Sequence, residues 1–90
     1  KTMEKIKFKV QVNPFKKIAI ISTHFNKKLF TKLMYYDNID EWNSFEMAGI
    51  TFDIHFHYDA EFLVSIYPVK NNKVDYTKQY SVNLSFKMTD

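Results

Sequence analysis

The chain has 90 residues, 46% of them hydrophobic, 18% aromatic and 26% charged, with a formal net charge of +3. That length fits a single domain over residues 1–90, and the aromatic load argues against a disordered chain. There is no Cys, which excludes a disulfide scaffold, a thiolate metal site and a cysteine nucleophile together; without disulfides and with no visible signal peptide, a cytoplasmic location is expected over a secreted one.

Charge is unevenly laid out. Residues 1–36 carry nine Lys against Glu4 alone, residues 37–66 carry seven acids and no Lys, and every basic residue of the chain is Lys. Without Arg there is no bidentate fork for phosphate, carboxylate or guanine. No apolar run approaches the roughly 18–20 residues that a spanning helix needs, so no membrane partner is expected.

Taken in chain order, residues 4–12 alternate, with Ile6, Phe8, Val10 and Val12 on one side and Lys5, Lys7, Lys9 and Gln11 on the other; this is a strand with one wet face. Asn13-Pro14 marks a turn, and 17–25 is the returning strand. Residues 29–36 (LFTKLMYY) fit either a strand or a helix, the strand being slightly favoured.

Asn38-Ile39-Asp40-Glu41 resembles a capping box, with acids suited to the positive end of a helix dipole. Ile39, Trp42 and Phe45 then recur at three-residue spacing, and Gly49 stands where a helix commonly stops. A short helix over 39–48 is therefore expected.

Residues 50–58 (ITFDIHFHY) alternate again, and 61–69 return after a turn at Asp59-Ala60. Pro68 cannot donate to a ladder and belongs near a strand end or at an edge. Lys70-Asn71-Asn72-Lys73 is a hairpin signal, and the last strand covers about 76–88. Short connections imply antiparallel neighbours. The expected fold class is α+β: five or six mainly antiparallel strands with one helix packed on them, curled toward a barrel or sandwich.

Three constellations could carry function. Asp53, His55 and His57 share one face of a strand, and a His-x-His pair is a known metal-ligand geometry, with His24 a conceivable third ligand; the plainer reading is the wet face of an amphipathic strand, and no metal or other cofactor is expected. The row Lys5, Lys7, Lys9 could neutralise phosphates, although the aromatics of that strand alternate away from it and exposed lysines also guard strands against pairing. Trp42 on its apolar stretch suits a protein interface or simply a core contact.

No G-x-S-x-G elbow and no glycine-rich phosphate loop is present. The leading expectation is a non-enzymatic module acting through protein–protein contact, with a second copy of itself among the candidate partners. A sequence-nonspecific nucleic-acid binder using the basic N-terminal hairpin is the alternative, and a metal or ligand binder centred on the His-x-His strand is the third. The polar face Ser81, Asn83, Ser85 leaves the last strand poorly guarded, so, if that strand lies at a sheet edge, a second copy of the chain is expected to extend the sheet there across a two-fold axis; a proline at Asn83 would block that docking if its N–H points outward.

Overall fold

The computed structural model describes residues 6–36, 42–58 and 61–88. Eight strands fill most of that length: β1 (Lys7–Asn13), β2 (Ile18–Phe25), β3 (Lys28–Tyr35), β4 (Trp42–Met47), β5 (Ile50–Tyr58), β6 (Phe62–Lys70), β7 (Lys73–Val74) and β8 (Ser81–Phe86). They form two four-stranded sheets, ordered β3-β2-β1-β8 and β4-β5-β6-β7. Neither closes into a barrel.

The alternation of β1 drives the packing. Phe8, Val10 and Val12 are buried, while Lys7, Lys9 and Gln11 between them are exposed. β2 repeats the pattern with Ala19, Ile21 and Thr23, and β5 faces them with Phe52, Ile54 and Phe56. Burying apolar groups from both inner faces is what holds two sheets together. Phe8 lies where they meet: its ring is edge-on to Phe45 at 6.2 Å and to Phe52 at 5.2 Å, both on the opposite sheet.

Three hairpins turn through two residues with positive φ: Asn26-Lys27, Ala48-Gly49 and Asn71-Asn72. Two consecutive left-handed residues match the twist of the flanking strands, which is why Asn and Gly serve there. The β1–β2 turn is built differently. The buried Asn13 side chain accepts from the amides of Phe15 and Lys16 at 3.0 and 3.1 Å.

Three expectations need correction. The helix over 39–48 does not form in its described part. Residues 42–47 are β4, paired antiparallel with β5, and Ala48-Gly49 is the hairpin turn between them; residues 39–41 lie outside the described residues. Phe45 and Met47 are both buried, so a period of two prevails over the three-residue recurrence of Ile39, Trp42 and Phe45. Among the described residues there is no helix, hence none that could cross a membrane. The mainly strand character of the expected fold holds, but among the described residues the one helix and five or six strands give way to eight strands in two sheets and no helix.

The ambiguous 29–36 stretch is strand, as β3. The last strand does not extend the meander. After β7, the amides of Asp75 and Tyr80 donate to the carbonyls of Pro68 and Ile66 on β6, each at 2.9 Å. The chain then crosses to the other sheet, where β8 runs parallel to β1 with Lys7 opposite Ser81 and Val12 opposite Phe86. The rule that short connections give antiparallel neighbours fails here because the crossing residues 75–80 switch sheets.

Candidate functional site

The outer face of the β3-β2-β1-β8 sheet follows from register. On β1 it carries Lys7, Lys9 and Gln11, directly beside Ser81, Asn83 and Ser85 of β8. On β2 it carries Ile20, Ser22 and His24, opposite Leu33, Thr31 and Leu29 of β3. The lysine row and the polar face of the last strand, 74 residues apart in sequence by that register, are thus neighbouring ladders of one surface. No Asp or Glu stands on these four strands.

An open depression of about 630 Å³ sits over this junction, lined by Lys7, Lys9, Ser22, His24, Ser81 and Asn83, with Leu29 as its apolar wall. Its floor is fixed in place. Thr23 Oγ1 donates to the Lys7 carbonyl at 2.6 Å, tying the start of β1 to β2. From sequence, His24 stood out only as a conceivable third metal ligand, and Ser22 and Leu29 only as parts of 17–25 and 29–36, though alternation along 17–25 sets Ser22 and His24 outward. Beyond the depression the face turns apolar, with Leu29 57%, Leu33 47% and Tyr35 69% exposed. Lys5 lies outside the described residues.

β8 is an edge strand. Among the described residues it pairs with β1 and with no strand on its other side. The Lys87 amide donates to the Val12 carbonyl at 2.8 Å. A residue's N–H and C=O point to the same side of a strand and successive residues alternate. Ser81, Asn83 and Ser85 therefore turn their backbone groups toward β1, and Val82, Leu84 and Phe86 turn theirs to the open edge. The expectation that a proline at Asn83 would block docking is corrected accordingly: it would break the β1–β8 ladder instead.

Asp53, His55 and His57 line the outer face of β5, on the opposite sheet. The His55 and His57 rings lie against each other, centroids 3.9 Å apart and tilted by 34°. Asp53 is half-buried, and burial pushes its carboxyl above the ordinary value of 3.8. His24 faces outward from the other sheet and cannot join them. Among the described residues no group of three or more His, Asp or Glu could hold a metal ion. The backbone of Trp42 pairs with that of His55 at the start of β4, and its side chain lies outside the described residues.

The two outer faces differ in charge. Glu46 and Asp53 stand on β4 and β5, which carry no Lys, whereas Lys7 and Lys9 stand on the acid-free sheet. The basic and acidic halves of the sequence thus supply different sheets. No protein-family model matches the chain, and comparison with curated proteins and with solved structures finds no match in either.

Proposed function

We propose that the domain is a non-enzymatic binding module that engages another protein through the outer face of the β3-β2-β1-β8 sheet. The observation that carries this reading is the make-up of that face: exposed Leu29 shares the depression with Lys7 and Lys9, exposed Leu33 and Tyr35 continue the apolar stretch along β3, and no acid stands on any of the four strands. Exposed apolar groups gathered beside one sign of charge are the composition of a docking surface, the apolar part supplying affinity and the charge steering the approach. A nucleic-acid backbone is the lesser reading. The same lysines would meet phosphates, but Phe8 between them is 1% exposed and cannot stack on a base.

A photo-crosslinking side chain placed at Leu33 and, separately, at Ser44 on the outer face of the other sheet tests this in the native host. A discrete crosslinked protein is expected from Leu33 and none from Ser44. Equal products from the two positions, or none from either, would refute the assignment.

A further inference from the structure

We infer that the open edge of β8 receives an extended acidic segment of a partner protein. The segment adds a fifth strand to the sheet and sets alternate Asp or Glu side chains over Lys7 and Lys9; this rests on the protein-binding reading above.

Three features of the edge point to this occupant. First, the backbone groups of Val82, Leu84 and Phe86 face away from β1, as the Lys87–Val12 bond requires, and an added strand satisfies such groups by main-chain hydrogen bonding. Second, the side chains between that edge and the lysines are short: Ser81 lies opposite Lys7 and Asn83 opposite Lys9. Strands are spaced about 4.8 Å apart, so an added strand stands about 10 Å from β1. A lysine and a glutamate reaching toward each other span that gap when nothing bulky stands between them, and the depression over Lys7, Lys9, Ser81 and Asn83 supplies the room. Third, residues two apart on a strand repeat every roughly 6.8 Å, so carboxylates at alternate positions of an extended segment match the spacing of Lys7 and Lys9.

Charge selects among occupants. A second copy docking by its own β8 would bring Ser81, Asn83 and Ser85 to the junction, backed by its own Lys7 and Lys9. That pairing offers no carboxylate and sets like charges on one face. An acidic segment supplies what the sheet lacks.

The test uses a fluorescent nine-residue peptide of alternating Glu and Thr with the intact domain. The comparators are a peptide with the same glutamates clustered at one end, the alternating peptide N-methylated on its docking edge, and an oligothymidylate. The alternating peptide is expected to bind best and to shift the amide resonances of Val82, Leu84 and Phe86. Lys7→Gln/Lys9→Gln, both at exposed positions, should weaken it about ten-fold through loss of the two charge pairs. N-methylation should weaken it further.

Equal binding of the clustered or the N-methylated peptide would overturn strand addition in favour of diffuse charge attraction. Tighter binding of the oligothymidylate would overturn the protein partner. A domain that sediments as a dimer and releases the dimer on Phe86→Pro would assign the edge to a second copy. If the alternating peptide fails while Leu33 still crosslinks a protein, strand addition falls and the protein-binding reading stands.

Discussion

Phe8→Ala removes the ring that touches both sheets. Phe8 is among the largest fully buried side chains, and it meets Phe45, Phe52 and Tyr80 edge-on at 6.2, 5.2 and 5.6 Å. Truncating a buried Phe costs about 3–5 kcal/mol, and edge-to-face pairs add about 0.5–1.5 kcal/mol beyond the area they bury. The expected loss is therefore near the upper end, about 4–5 kcal/mol. A chain of this size holds roughly 5–14 kcal/mol in all, so the variant retains about 0–10 kcal/mol and at the low end of that range does not stay folded. Phe8→Leu keeps the measurement possible, because it retains most of the volume and should cost about 1–2 kcal/mol. Phe15→Ala is the internal control: Phe15 is 59% exposed and should change stability by less than about 0.5 kcal/mol. Urea unfolding followed by circular dichroism gives the midpoints at constant slope. A Phe8→Ala loss below about 1.5 kcal/mol, or one equal to that of Phe15→Ala, would show that the sheets do not meet through Phe8.

Ala48 holds a φ of 56°, which costs a residue with a Cβ about 1 kcal/mol, so Ala48→Asn should raise stability by about 0.5–1 kcal/mol in the same urea series. Gly49→Ala meets nothing within 4 Å, so its cost is the left-handed backbone alone, about 1 kcal/mol; a much larger loss would reveal a contact the fold does not have. Thr23→Val deletes the bond to the Lys7 carbonyl and should cost about 1 kcal/mol and speed amide exchange at the start of β1. Acid titration of stability should separate two carboxylates. Thr77 donates its O–H and N–H to Asp75 and holds that carboxyl below the ordinary 3.8, so Asp75 stabilises the fold above that value and loses the contribution as pH falls through its lower folded value. Asp53 is raised by burial, so its ionised form is penalised above its folded pKa and the penalty vanishes below 3.8. Thermal melts of Asp53→Asn should therefore show a gain at about pH 7 that disappears at about pH 2, and Asp75→Asn a loss that shrinks as pH falls below 3.8; the opposite signs would refute both assignments.

Much of the fold was legible from period-two alternation, because burial of one face leaves its mark on every second residue. β1, β2, β5 and β6 were readable in this way. β4 was not, because its sequence satisfies two periods at once. Trp42 and Phe45 are three apart, the preceding Asn38-to-Glu41 stretch mimics a helix start, and a glycine ends hairpins as readily as helices. The outward placement of Lys7, Lys9, Ser81, Asn83 and Ser85 was also readable. Their adjacency was not, since alternation tells which face a residue takes and nothing about which strand lies beside it. The parallel β1–β8 pair is a long-range contact that no local pattern encodes.

That parallel pair also governs how the molecule answers to tension. Pulling Ile6 and Lys87 apart draws β1 and β8 in opposite senses along their own axes. The six register pairs from Lys7–Ser81 to Val12–Phe86 then share the load in shear and must fail together. Pulling on Ile18 and Tyr35, which are paired at the open end of the β2–β3 hairpin, instead peels that ladder one pair at a time. The domain should therefore be stiff along one direction and weak along another. Single-molecule extension from the two attachment geometries reads this directly, with the higher rupture force expected for the β1–β8 pull and comparable forces contradicting the shear geometry.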